Sequence, residues 1–367
     1  MEKVRMAIIG TGGMGSNHAN LTPSIEEVKL CALADARPEA AAKLGEKLSV
    51  PAYGDYREML KKEKPDFVLI AVPHPAHMAV ALDAFAAGAH VLCEKPLASN
   101  LIEADRMVAA AKKHGKLLGV MFQQRTEPAK CKLHEIVKSG TLGAITRVNM
   151  ISTLYRCQAY YNSGAWRGSW AGEGGGVLLN QAPHDIDQFI WIAGEPVEVQ
   201  GYVETSRLHD IEVEDTATAL VRYANGARGY LHVSTVEHPA TFRFELCGDK
   251  GKVVFDGSSI KLWTTQPSIS EFTKTSTVAW SFPAVSEQAV EIPTGPSGHA
   301  EITRDFAKAI TEGREPLAPG REGLWSLELS NAIIYSSYRN RAIELPLSRQ
   351  AYNRFFKEKC KTSRYKA

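Results

Sequence analysis

Three passages in this chain have residue types and spacings that could do chemistry. The first, Gly10-Thr11-Gly12-Gly13-Met14-Gly15, has the G-x-G-x-x-G spacing, follows the apolar run 4–9 and opens a segment of helical composition. In that setting the first glycine permits a tight turn, the second lets backbone approach a pyrophosphate, and the third lets helix and strand pack closely. The helix N-terminus then offers unpaired N–H groups to phosphate. Asp35 closes the next apolar run, 20 positions after Gly15, where a carboxylate would bind an adenosine ribose. Such a carboxylate accepts from the ribose 2′-OH and repels a 2′-phosphate. Arg37 offsets that repulsion only in part, so the expected cofactor is NAD, with NADP as the alternative. A glycine turn in an α/β domain that binds nothing would leave a similar trace.

The second passage is Glu94-Lys95-Pro96, at the end of the apolar run 90–93. It falls at the carboxyl edge of a parallel sheet, where open α/β folds bind ligands. Beside an oxidised nicotinamide the ammonium is disfavoured and its pKa falls. A lysine so tuned exchanges a proton with a substrate hydroxyl, and Glu94 would orient it. The plainer alternative is a surface ion pair at a strand end.

The third runs from Gly174-Gly175-Gly176 through Asn180 to Pro183-His184-Asp185 and Asp187. Asn180 and His184 share a face if one helix holds both. Pro183 argues instead for a helix that starts there, with Asn180 in the entering loop. His184 suits acid–base work because its ordinary pKa is near neutrality. A hydrogen-bonded structural histidine is the ordinary alternative. Asp185 reads equally as a ligand for substrate and as a first-turn carboxylate favoured by the helix dipole.

The elements that must position these residues change character near 125. Before it, strand candidates at 4–9, 28–34, 67–72, 90–93 and 117–122 are apolar on both faces and alternate with helical patterns at 38–48, 55–63, 76–88 and 100–114. That alternation predicts a doubly wound parallel sheet. After it come a helix at 127–139, a long strand at 145–155, the glycine passage with a helix ending at Gly194, and alternating runs between 197 and 264. These predict a second α/β domain with an open, largely antiparallel sheet. Asn225-Gly226 is expected to be a two-residue hairpin turn and Asp249-Lys250-Gly251 another turn. Residues 265–296, rich in Ser, Thr and Pro, read as a long loop or edge excursion, with helices returning at 298–312, 321–340 and 349–360. The expected division is 1–124 and 125–367.

The 367 residues suit two domains. Forty-three Lys plus Arg against 41 Asp plus Glu leave a net +2, without the basic stripe of a nucleic-acid protein or a polybasic membrane binder. No apolar run reaches the ~20 residues of a membrane span, and the N-terminus lacks the pattern of a signal peptide. The cysteines at 31, 93, 131, 157, 247 and 360 read as reduced thiols of a cytoplasmic protein. Lys357, Lys359, Lys361 and Lys366 read as a solvated face or frayed end.

Taken in order, the G-x-G-x-x-G start, Ala71-Val72-Pro73-His74-Pro75-Ala76-His77, Glu94-Lys95-Pro96 and the glycine–Asn180–His184-Asp185 block resemble the Gfo/Idh/MocA family, over nearly the whole chain. The resemblance implies a Rossmann domain followed by an open-sheet α/β domain. It implies NAD(P)-dependent hydride transfer at a secondary hydroxyl or keto group of a sugar or cyclitol, with Lys95 and His184 as the catalytic pair. It places Val72, Pro73, His77, Glu94 and Gln123 at the cofactor, and Trp166-Arg167 near it. Tyr160, Tyr161 and His299 are weaker candidates to line a sugar pocket. Many relatives carry Asp where this chain has Asn180; an amide orients a hydroxyl but is no base. No metal is expected: His74-x-x-His77 lacks further ligands, and the acidic run His209–Asp215 suits a strand entry better. Two rivals are an NAD-dependent glycosidase, which oxidises transiently and eliminates, and a non-catalytic NAD-sensing protein. The expected assembly is a homodimer or homotetramer.

Overall fold

In a computed structural model that describes residues 3–365, the first strands and helices follow the apolar runs closely. They are β1 (Val4–Ile9), α1 (Gly13–Leu21), β2 (Val28–Ala34), α2 (Pro38–Leu48), β3 (Ala52–Tyr53), α3 (Tyr56–Glu63), β4 (Phe67–Ile70), α4 (His77–Ala86), β5 (His90–Cys93), α5 (Leu101–His114) and β6 (Leu118–Val120). The strands pair in parallel in the order β3-β2-β1-β4-β5-β6. The order reverses between β1 and β4, which opens a crevice at their carboxyl ends. Local signals fix the helix limits. Pro38 occupies the first turn of α2, the Asn100 side chain caps α5 by accepting from Glu103 N, and Gly115 ends α5 in the left-handed region. The two-residue β3 is too short to leave a periodic pattern.

The chain continues through α6 (Pro128–Lys138), β7 (Ile145–Thr153), α7 (Gln158–Tyr161), α8 (Pro183–Ala193), β8 (Glu198–Thr205), β9 (Glu214–Arg222), β10 (Arg228–Ser234), β11 (Phe242–Gly248), β12 (Gly251–Phe255), β13 (Ile260–Gln266), α9 (Ile269–Thr275), β14 (Ala284–Val290), α10 (His299–Glu312), α11 (Gly320–Arg339), β15 (Ile343–Glu344) and α12 (Arg349–Lys361). The second sheet runs β14-β13-β12-β11-β7-β10-β9-β8-β15. Its pairings are antiparallel except β7 with β10.

Several expectations need correction. Residues 265–296 hold α9 and the edge strand β14, whose residues are almost all exposed; with neither face buried, no alternation marks it. The turn at Asn225-Gly226 spans three residues, 224–226, because Tyr223 N pairs with Ala227 O and Gly226 takes a left-handed φ of 87°. Lys359 is not simply solvated: its ammonium lies 3.8 Å from the centroid of the Tyr338 ring. Lys366 lies outside the described residues.

The two sheets share one apolar core. α11 packs on β8 and also against β6 and α5, while α10 meets α1 and β5. Phe306 of α10 lies tilted on Phe67 of β4 and presses on Gly119 of β6, where a Cβ would lie 2.8 Å from the ring. The six cysteines are free thiols. No described helix is long and apolar enough to cross a membrane.

Candidate active site

The first passage forms a cradle at the carboxyl end of β1. Gly10 turns the chain with φ 94°, and a Cβ on Gly15 would lie 1.8 Å from Gly10 O, so α1 can approach the strand only with glycine there. Around Gly12 and Gly13 nothing lies within 4 Å of an added Cβ. α1 starts from Gly12 with no side-chain cap and no acidic residue in its first turn, and Met14 is exposed. An uncapped helix N-terminus facing open space fits a pyrophosphate. Asp35 Oδ2 accepts from Thr11 N at 2.7 Å and Thr11 Oγ1 at 2.9 Å, so this carboxylate also anchors the glycine loop. Its Oδ1 accepts from Arg37 N at 2.9 Å, and Arg37 Nε lies 3.4 Å away. Burial opposes the anion, but these donors prevail and hold its pKa below the ordinary value. The cradle fits an NAD-type dinucleotide.

β5 delivers Glu94 and Lys95. Glu94 is buried and pairs with His18 of α1 at 2.6 Å, and His299 packs edge-on to His18 at 5.2 Å. The Lys95 ammonium is turned away from Glu94 and donates to Asn180 O at 2.7 Å. Burial lowers its pKa; Glu94, Glu173 and Asp185 oppose that, and Arg167 adds to it. His77 stands at the start of α4. Its ring is fully buried, with Nε2 2.9 Å from Val72 O and Nδ1 against Pro96 O and the Cys93 sulfur. It therefore ties the Val72-Pro73 loop to the Glu94-Lys95-Pro96 turn.

His184 enters on α8. α8 begins at Pro183, so Asn180 lies in the preceding turn and the two residues do not share a helical face. Gln123 Nε2 lies 3.2 Å from His184 Nε2. An amide donating there places the imidazole proton on Nδ1. His184 Nδ1 and Gln123 Oε1 are both buried without a partner, as groups awaiting a ligand would be. Burial first, and Lys95 second, depress the His184 pKa well below its ordinary value. Burial raises the Asp185 pKa, against the pull of Lys130 and of Ser152 on β7. Behind this wall Arg125, fully buried, clamps Asp187 with contacts of 2.9 and 2.6 Å and also pairs with Glu322. It joins the Gln123 turn to α8 and α11.

The glycine passage holds the remaining candidates. Arg167 lies 4.4 Å from the centroids of both Tyr160 and Trp166 and donates to the Tyr160 hydroxyl at 2.7 Å. Two buried carboxylates absent from the expected set organise this loop. Glu214 Oε1 accepts from Gly176 N at 2.8 Å and Leu178 N at 3.1 Å; burial pushes its pKa up to about 7. Glu173 accepts from Gly168 N at 2.6 Å and from the Asn180 side-chain amide. The only signal for Glu173 in the sequence is a single acid inside a glycine run.

Among the described residues, one grouping brings metal-ligating atoms together: His18, Glu94 and His299, within 4.8 Å of one another. The 2.6 Å His18–Glu94 contact is a hydrogen bond. Two ligands around one tetrahedral ion would stand apart by about 3.3 Å.

Comparison with known proteins agrees with this geometry. Residues 4–122 match the oxidoreductase family with an NAD-binding Rossmann fold, and residues 131–254 match the GFO/IDH/MocA C-terminal domain. The chain belongs to the Gfo/Idh/MocA family of oxidoreductases, and its first domain is an NAD-binding Rossmann fold. It is 28% identical to myo-inositol 2-dehydrogenase of Thermotoga maritima, across 93% of this chain and 98% of that protein. It is 25% identical to levoglucosan dehydrogenase of Pseudarthrobacter phenanthrenivorans, across 94% and 99%. The crystal structure of the WlbA dehydrogenase from Bordetella pertussis, in complex with NADH and UDP-GlcNAcA, superposes with a TM-score of 0.81 at 27% identity, over 95% of this chain and 100% of that one.

Proposed function

We propose that this protein is an NAD-dependent dehydrogenase of a secondary alcohol on a sugar or cyclitol. One observation carries the reading: Lys95, just past β5, donates to Asn180 O in the turn before α8, near enough to His184 on that helix for its charge to be felt there, and His184 Nδ1 and Gln123 Oε1 lack partners. NAD, when bound, accepts or returns the hydride. Lys95, its proton affinity lowered by burial, takes the hydroxyl proton. His184 is held neutral and donates from Nδ1 to the same oxygen. Tyr160, Trp166 and Arg167 offer the aromatic faces and polar tips that suit a sugar, and His299 lies behind Glu94. The inositol and levoglucosan dehydrogenases among the relatives support this substrate class.

We assign residues 1–124 to dinucleotide binding and 125–367 to substrate binding and self-association. Leu220, mid-sheet between Tyr230 and Gln200, is 55% exposed, so that face is free to meet a second copy. A panel of sugars and cyclitols with NAD, followed at the NADH absorbance, tests the function. Accumulating NADH supports it. Aglycone release without net NADH replaces it with transient oxidation and elimination, and NAD binding with no turnover on any member rejects it.

A further inference from the structure

Glu173 is 1% exposed, and the surroundings of its carboxylate are made of donors. Oε2 accepts from Gly168 N at 2.6 Å, Oε1 accepts from Asn180 Nδ2, and Arg167 Nη1 lies 3.8 Å from Oε1. A carboxylic acid needs an acceptor for its proton, whereas a carboxylate takes only donors, so these contacts fit the anion. Asn180 faces two ways. Its side-chain amide is tied to Glu173, and its main-chain oxygen holds the Lys95 ammonium.

We propose that Glu173 is a positioning residue for Lys95: through Asn180 it fixes the lysine at the crevice, and from seven positions upstream it supplies the negative charge that the Asn180 amide lacks. This rests on the reading of Lys95 as the proton carrier. The Glu173 charge raises the proton affinity of Lys95, as do Glu94 and Asp185, while Arg167 opposes them. His74, His184 and His299 also face Lys95 and are held neutral by burial. Burial raises Glu173 to about 7 against the pull of Gly168, Arg167, Asn180 and Lys95, and Glu214 and Tyr161 stand near enough to feel its charge.

The pH dependence of Lys95 acetylation by acetic anhydride, read by mass spectrometry of the Lys95 peptide, gives its titration midpoint without cofactor or substrate. In Glu173→Gln the midpoint falls by about one pH unit, roughly tenfold in proton affinity. In Glu173→Gln/Asn180→Asp, which returns a carboxylate one contact away, it recovers to within about 0.3 unit of wild type. Glu173→Met, of similar volume and bringing no donor of its own into the site, shows the same fall and serves if the glutamine variant does not fold. A midpoint that does not move in either variant, or one that Asn180→Asp does not restore, overturns the proposal. Lys95→Ala is assayed alongside. If it keeps turnover, the reading of Lys95 fails. If it is inactive while the Glu173→Gln midpoint stands still, only the role of Glu173 fails.

Discussion

Lys95 Nζ lies 2.7 Å from the main-chain oxygen of Asn180, so the end of β5 and the turn before α8 meet in one hydrogen bond. A side-chain substitution at 180 cannot remove that acceptor. The lysine is therefore seated by backbone, while its charge environment comes from side chains around it.

Replacing this lysine separates chemistry from binding. Lys95→Ala is expected to lower kcat by about 10²–10⁴ and to leave the Kd for NADH, followed by fluorescence titration, within about twofold. Because burial lowers the Lys95 pKa, the wild-type oxidation rate should rise with pH as the ammonium is lost and level off below the ordinary lysine value of about 10.4. The reverse reduction should show the opposite slope.

Asp35 anchors the glycine loop, and its carboxylate is expected to disfavour a 2′-phosphate. Asp35→Ala removes both bonds to Thr11 and leaves a buried N–H unmatched, at a cost of about 1–3 kcal/mol. The Kd for NAD should rise about tenfold, and that for NADP should rise less, because the repulsion of a 2′-phosphate disappears. Paired titrations of the two cofactors check the ratio.

Arg125 is a matter of stability. Arg125→Met strands the buried Asp187 carboxylate and is expected to cost about 3–5 kcal/mol. The loss is measured by denaturant unfolding. Turnover should fall as well, since Gln123 shares the Arg125 turn and holds His184.

Glu214 sets a pH dependence. Its folded pKa of about 7 lies above the ordinary 4.5, so the folded state binds the proton more tightly than the unfolded one. Stability that is complete below about 4.5 is then lost as pH rises toward 7. Glu214→Gln, neutral at every pH, should melt near wild type at acid pH and above it at pH 8, so a melting gap that opens with pH checks the sign.

The first sheet was legible because each of its long strands is apolar on both faces and lies between helices that sequence punctuation marks, as Pro38 and Gly115 do. What escaped has physical reasons. β3 and β15 are two residues long and α7 four, and β14 has no buried face to impose a period. In the candidate site, Lys95, His184 and Asp35 stood out because each sits in a motif at the end of an element. Arg125, Glu173 and Glu214 did not, because a buried charge is recognisable only through its partners, and Arg125 finds them 62 and 197 positions away. The partners of the buried His77 ring, Val72 O and Pro96 O, were not legible either: a motif position says where a ring stands and not which way its nitrogens face.

The bridge between Gly119 and Pro319, with Phe306 pressed on the same glycine, bears on how the chain is made. A ribosome releases β6 about 200 residues before the segment that covers it, so the first third of the chain waits through about half of translation with a raw edge. Contacts that close so late in sequence are slow to form, and an uncovered strand edge invites association with other chains. The C-terminal helices thus act as the last staves of the first sheet, and a fragment ending at 124 should be sticky while the whole chain is not.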